Sequence, residues 1–538
     1  MNSLRFRRQF LITPDSTVDL DGWGRHRVAE HTVYAHPELS VTIHRAPGSS
    51  FVLLGFAIDP ERPEQDDAAV LAEFAEAWSR SEGETFLHRL SGRFALFAFT
   101  GDDIVVYLDA TGTRSVEYTW HEGRFHAASQ AYLLAEVVPL RRGERARQFD
   151  GSVHKAADRE HFLPAAMTLY DEVDRLVPNH RLNVARRRQE RVWPVAPLPD
   201  RTLTAAEEFT AAHLTAAIGA ASRRFPLSLP LTAGYDSRAL IAAASRDVRS
   251  SMYRYTLLYR HLTRFSTDVA IAKTVAARLG VAHHLIDCRA EPDPGWRELY
   301  TGNTPMAHYD DWGVIAHGIL NGHPADHVAV KGNASEVART FYGGPDGPPA
   351  TGSAADILAL IPGWAEIPFI AASIEEWHRS AAPASAASGI ALDDLFYWEH
   401  RCGSWQGQSQ LEWDIAQVDV HAVQQPSPPG GRSWAFRPPN ARTTGTRSCG
   451  RSSAPRTQRL SACPSTPAPR TAARWSSASN CVTAREESSA GSAHGDRRVT
   501  PGRPPRTARP RGRPRPVSPR SPPPPSASGR QRGTGVRR

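Results

Sequence analysis

The chain has 538 residues, with 64 Lys and Arg against 56 Asp and Glu, a net charge of +8 and 40% apolar residues. That length supports two or three domains with sizeable cores. No apolar run is long enough for a bilayer span, the run Phe10–Thr13 is too short for a secretory signal, and Cys288, Cys402, Cys449, Cys463 and Cys481 form no CxxC pair, so a cytoplasmic protein without a disulfide framework or cysteine-based metal site is expected.

Residues 1–140 read as mainly β. Phe51–Ile58 and Phe94–Phe99 are strand-like, and Ile104–Leu108 follows the turn 100–103, which predicts a hairpin. Val70, Leu71, Phe74 and Trp78 recur at helical spacing within Asp67–Ser81. Phe125–Ser129 and Ala131–Val138 complete the region as a strand and a helix. Residues 141–200, rich in Arg and Pro, read as a connector.

The region 201–425 alternates helices and strands, the pattern of a doubly wound parallel sheet. Thr204–Ser222 is a helix, with Thr204 as cap and Glu207 closing a capping box. An apolar strand, Phe225–Leu231, then enters the turn Thr232-Ala233-Gly234-Tyr235-Asp236-Ser237, and Ala239–Ser245 leaves it as a helix. Such a junction gathers backbone amides and the positive helix end at one point, which suits a phosphate. Thr232 and Ser237 add hydroxyls, Gly234 permits close approach, and Asp236 can hold magnesium. The strand Met252–Leu258, the helix Asp268–Leu279 stopped by Gly280, the strand His283–Asp287 and the short strand Val328–Lys331 follow. Asp268 reads equally as a helix cap or a substrate-site residue, and Glu336 ends a Gly-containing turn after a strand. His283 and His284 read as structural, and Asp310 and Asp311 stay unassigned. Helices dominate 354–423; the Phe396–Arg401 and Trp405 cluster reads as core, with Arg401 a weak candidate for a phosphate or carboxylate contact.

From about Pro426 the composition changes. Gly431–Arg538 holds 23 Arg, no Lys and three acids (Glu486, Glu487, Asp496), a net +20 that leaves −12 on the rest of the chain. This tail lacks apolar periodicity and is expected to be disordered. Nucleic-acid binding, a linker and an out-of-frame segment all account for it. A frameshift near Pro426 ranks first, because Lys occurs only at 155, 273 and 331, as in GC-rich coding sequence, and such DNA read out of frame yields this mixture.

Together these residues resemble the asparagine synthetase family of ATP-dependent amide-forming enzymes. The turn 232–237 corresponds to the family's Ser-Gly-Gly-x-Asp-Ser pyrophosphate loop, with Ala233 in place of glycine. Thr267-Asp268, Arg278–His284 and Lys331–Glu336 match further, with Val337 in place of the family's second acid. Leu90–Phe97, Asp109–Gly112 and Phe125–Ser129 resemble its glutamine-hydrolysing domain, in which a cysteine follows the initiator methionine; Asn2 stands there instead, so no thiolate is expected.

The resemblance implies an N-terminal αββα (Ntn-type) sandwich, then a doubly wound parallel-sheet, adenine-nucleotide hydrolase-like domain. It implies ATP and Mg2+ as cofactors, a small-molecule or peptide carboxylate and an amine or ammonia as partners, and an acyl-adenylate intermediate. It assigns Asp236 and Glu336 to catalysis and metal, and Leu231, Thr232, Ala233, Gly234, Asp236, Ser237 and Gly332 to the nucleotide. Asp268 falls to the substrate. A catalytically impaired nucleotide-binding relic or scaffold is the alternative, and nucleic-acid binding through the tail ranks third.

Overall fold

The computed structural model describes residues 2–422 except 16, 102, 159, 199–201 and 343–351. The basic tail, the frameshift near Pro426, the nucleic-acid reading and three of the five cysteines lie outside the described residues.

Apolar alternation builds the first half. Its strands are β1 (Phe10–Thr13), β2 (Gly24–Val28), β3 (His31–Ala35), β4 (Val41–Ala46), β5 (Ser49–Ile58), β6 (Ser91–Thr100), β7 (Asp103–Leu108), β8 (Glu117–His121), β9 (Arg124–Ala128), β10 (Asp174–Arg175), β11 (His180–Asn183) and β12 (Arg188–Arg191). One antiparallel sheet has the order β10-β8-β9-β1-β3-β2, and a second contains β12-β11-β7-β6 with β5 and β4 beside β6. Successive residues of a strand point to opposite faces. Val52, Leu54, Ala95 and Phe97 therefore meet Phe10, Ile12 and Val33 of the first sheet. Phe51, Leu53, Phe94 and Leu96 meet Val70, Leu71 and Phe74 of the helix Asp67–Ser79. Beyond the first sheet, Leu11, Tyr34 and Ala128 pack with Leu133, Leu134 and Phe149. The layers run helix, sheet, sheet, helix. The hairpin at 100–103 forms as its turn predicts, with Thr100 opposite Asp103. The strands at 174–191 show that residues 141–200 complete these two sheets as well as connecting the halves.

The second half adds β13 (Leu227–Pro230), β14 (Tyr253–Leu258), β15 (His284–Asp287), β16 (Val328–Lys331) and β17 (Val418–His421). They are parallel, in the order β17-β16-β13-β14-β15. β17 lies in a stretch whose composition reads as helical; four residues next to a buried parallel neighbour are too few to carry a period. Through β17 the two halves share one sheet, since His421 pairs antiparallel with Gly92 of β6. Gly92 has φ +123°, and a Cβ there would meet Phe56 O at 2.4 Å, so only glycine fits this junction.

The helix Leu203–Arg224 begins two residues earlier than its alanines imply. Its cap is Thr202, whose hydroxyl accepts from the Ala205 amide, so Thr204 and Glu207 lie inside the helix. Helices Ala354–Ala359, Pro368–Ser388 and Leu392–Phe396 lead into a π-helical stretch, Tyr397–Gln406, and then Gly407–Trp413. Phe396, at the end of the preceding helix, and Trp398 and Trp405 of the π-helical stretch are buried in the largest core cluster. Among the described residues no helix is long and apolar enough to cross a membrane.

Candidate functional site

The parallel order reverses between β13 and β16, which run out to neighbouring strands on opposite sides. The connections leaving the carboxyl ends of such a pair run to opposite sides of the sheet and leave a crevice. A cleft open to solvent lies there. Its lining includes Thr232, Asp236 and Ser237 from the loop after β13, and Tyr255, Thr256 and Leu257 from β14. Lys331, Gly332 and Asn333 line it after β16, with Tyr259, Leu262, Asp268 and Trp413 at its sides.

Local hydrogen bonds shape the loop. Leu231 is buried; its amide donates to Tyr255 O at 2.8 Å and its carbonyl accepts from Thr256 Oγ1 at 2.6 Å. Three successive amides then meet side-chain oxygens: Thr232 N–H donates to Ser237 Oγ at 3.1 Å, Ala233 N–H to Asp268 Oδ1 at 2.9 Å, and Gly234 N–H to Thr232 Oγ1 at 3.1 Å. The helix Tyr235–Ala243 starts at Gly234, which has no side chain to cap it. A helix start of this kind directs backbone amides and the positive end of the helix dipole toward an anion. Ala233 does not adopt a positive φ, so its Cβ brings no backbone strain. Gly332 lies close against this helix, where a Cβ would meet Asp236 Cβ at 2.8 Å.

The far wall carries the charge that sequence reasoning missed. Lys331 is buried, with Nζ 2.9 Å from Asp419 Oδ2 of β17 and 4.1 Å from the Trp413 ring centroid. Burial holds its amine below the ordinary value, and the fully buried Asp419 opposes that shift. Burial also pushes the Tyr259 phenol up to about 12. The signal for Lys331 was present in the chain: one of only three lysines ends a strand next to the Gly-containing turn. For Asp419 and Trp413 no local signal existed, because their place depends on β17.

The structure brings Thr232, Asp236, Ser237, Gly332 and Asp268 to the cleft, with Leu231, Ala233 and Gly234 forming the loop backbone. Asp268 is not the cap of its helix, which Ser266 occupies. Glu336 is half-buried on the turn Asn333–Arg339, outside the cleft lining, and its charge acts on the Tyr397 hydroxyl and the Cys402 thiol. Among the described residues no three His, Cys, Asp or Glu side chains form a group able to hold a metal ion. Arg401 is buried with its guanidinium 4.0 Å from the Trp405 ring centroid, away from the cleft. His283 Nε2 bonds Thr256 Oγ1 at 2.8 Å, and His284 stacks on Tyr253 at 4.4 Å. Asp311 pairs with Arg260 at 2.5 Å and Asp310 with Arg297 at 3.2 Å.

No protein-family model matches the chain, and no curated protein matches it. Among solved structures, an allosteric regulatory enzyme of purine biosynthesis is similar at 11% identity and a TM-score of 0.24, over 54% of this chain and 78% of that one. A glutamine phosphoribosylpyrophosphate amidotransferase from B. subtilis, complexed with ADP and GMP, is similar at 11% identity and a TM-score of 0.24, over 63% of this chain and 73% of that one. Likenesses of this size assign no chemistry.

Proposed function

We propose that the chain joins a carboxylate to an amine at the expense of ATP, through an acyl-adenylate, as its resemblance to the asparagine synthetase family implies. The observation that carries this reading is the place of the 232–237 loop. It leaves β13 at the point where the strand order reverses, turns directly into a helix and lines the cleft. A substrate carboxylate oxygen attacks the α-phosphorus, the bond to the β-phosphate oxygen breaks, and pyrophosphate leaves. An amine then attacks the activated carbonyl and AMP departs. The chain's share is positioning and charge. Thr232 and Ser237 offer hydroxyls, and the first-turn amides of the helix Tyr235–Ala243 face the phosphates.

Asp236 and Asp268 both line the cleft, and a hard cation held by one or two carboxylates plus phosphate oxygens suits them. Magnesium bound there neutralises phosphate charge; Glu336 stands outside that set. The nitrogen comes from ammonia or a substrate amine, since Cys288 is the first cysteine in the sequence and glutamine attack needs a thiolate. The N-terminal sandwich then acts as a scaffold.

A nucleotide-binding relic is the second reading, favoured by Glu336 lying outside the cleft lining. Incubation of the full chain with ATP, magnesium, ammonia and pools of carboxylic and amino acids separates the two. AMP and pyrophosphate released in equal amounts supports the ligase. ATP bound without AMP formation supports the relic, and no ATP binding defeats both.

A further inference from the structure

We propose that Lys331 receives the negative charge of an oxyanion ligand in the cleft, and that Asp419 and Trp413 exist to hold its ammonium there. Lys331 ends β16 and lines the cleft together with Asp236 and Asp268. Among the described lining residues it is the one cation, beside two carboxylates. A polyphosphate entering beside two carboxylates is repelled unless positive charge meets it from another side. Lys331 supplies such a charge from the end of β16.

The way the ammonium is held supports a binding role. Asp419 Oδ2 lies 2.9 Å from Nζ, and the Trp413 ring takes the charge on its face at 4.1 Å. An ammonium has three donors, and one carboxylate and one ring do not use them all. Burying a charge is costly even when paired, and apolar residues of similar volume serve a purely structural position as well or better. A pair retained at the edge of a cleft therefore points to the ligand.

Composition supports the same assignment. Of 64 basic residues only three are lysine, at 155, 273 and 331. A bias that favours Arg almost everywhere has left Lys at the one cleft position. A compact ammonium fits between a carboxylate and an indole face, where a planar guanidinium would project its fork into the cleft.

The ligand class is an oxyanion of the phosphate type. That it is the polyphosphate of a nucleotide rests on the reading given above. The test is calorimetric titration of the full chain with inorganic pyrophosphate and, separately, with ATP, each with magnesium. Wild type is compared with Lys331→Met and with Lys331→Met/Asp419→Asn, which leaves no unpaired buried charge. Thermal unfolding reports the fold of each. Pyrophosphate binding weakened by about tenfold or more in the folded variants is expected, the scale of a lost charge-assisted contact. Binding within twofold of wild type overturns the assignment.

Protection labelling needs no variant. Pyrophosphate should shield Lys331 from an amine-reactive reagent while Lys155 and Lys273 stay reactive, and equal labelling of Lys331 with and without ligand overturns the proposal. The nucleotide reading fails separately. Pyrophosphate bound through Lys331 with no affinity for ATP defeats the nucleotide and keeps the lysine. ATP bound equally by all variants does the reverse, and a wild type that binds neither defeats both.

Discussion

The carboxylate of Asp268 accepts the Ala233 amide at 2.9 Å, so an oxyanion from the first turn of one helix sits on the loop that begins another. A phosphate oxygen seated on this loop competes with Asp268 for the same donor. Asp268→Ala removes the competitor and one cleft carboxylate together. Pyrophosphate affinity without divalent cations should rise a few-fold, while the fold loses about 1 kcal/mol. Titration in EDTA checks it, and an unchanged or weaker affinity there shows that the loop amide is no part of the anion seat.

Arg93 and Asp414 hold the two halves together. Both are buried, and two parallel bonds of 2.7 and 2.8 Å join them across 321 residues. Arg114 reaches the same carboxylate at 3.2 Å. Arg93→Met leaves Asp414 with half its charge compensation and should cost about 3–5 kcal/mol. Arg93→Met/Asp414→Asn should recover part of that loss. Urea unfolding of the three proteins decides it, and a single-variant cost below about 1 kcal/mol would remove this pair from the account.

Gly332→Ala tests the fit of the turn against the loop helix. The added Cβ meets Asp236 Cβ at 2.8 Å, so the helix start must shift away from the turn. Overpacking of this kind costs about 1–3 kcal/mol, and ligand affinity should fall with it. Normal affinity in a destabilised variant would show that the Asp236 position does not matter to binding.

Acid should destabilise the fold. Burial pushes His400 down to about 3, and its Nδ1 accepts the Ala165 amide at 3.0 Å. Burial also pushes His180 to about 4 and His421 to about 3. Below the ordinary value of 6.5 the unfolded chain binds protons that these rings refuse, so their contribution is lost as pH falls from about 6.5 towards 4. His308 has the opposite sign. Burial lowers its pKa, but Glu412, 2.7 Å from Nδ1, outweighs that and raises it. Its contribution is full below about 6.5 and is lost as pH rises through the raised value. Calorimetry should show Tm falling as pH drops from about 6.5 to 4, and Glu412→Gln should remove the alkaline-side loss. A Tm that is flat or rises as pH drops from about 6.5 to 4 contradicts this.

Local patterns carried much of the fold. The alternation in Phe51–Ile58 and Phe94–Phe99 and the helical spacing of Val70, Leu71 and Phe74 are visible without neighbours, because each element buries its own face. The loop 232–237 was legible for the same reason: its hydroxyls and glycine act on their own backbone. What escaped depends on tertiary pairing. β17 is four residues long and becomes a strand only between β16 and β6. Asp419 reaches Lys331 through that placement, and Trp413 lines the cleft from the helix that precedes β17. With Thr202 rather than Thr204 as cap, the helix gains two residues, Leu203 and Thr204, before its first alanine. Glu336 matched a motif by spacing, but the turn Asn333–Arg339 leaves it beside Tyr397 and Cys402.

The central claim is that the cleft between the ends of β13 and β16 holds the phosphates of ATP. Equilibrium titration of the full chain with ATP and magnesium, for wild type and for Asp236→Asn, tests it most directly. Saturable one-site binding is expected, which Asp236→Asn weakens by about tenfold or more while thermal stability is kept. No binding by wild type, or equal binding by both proteins, would contradict it.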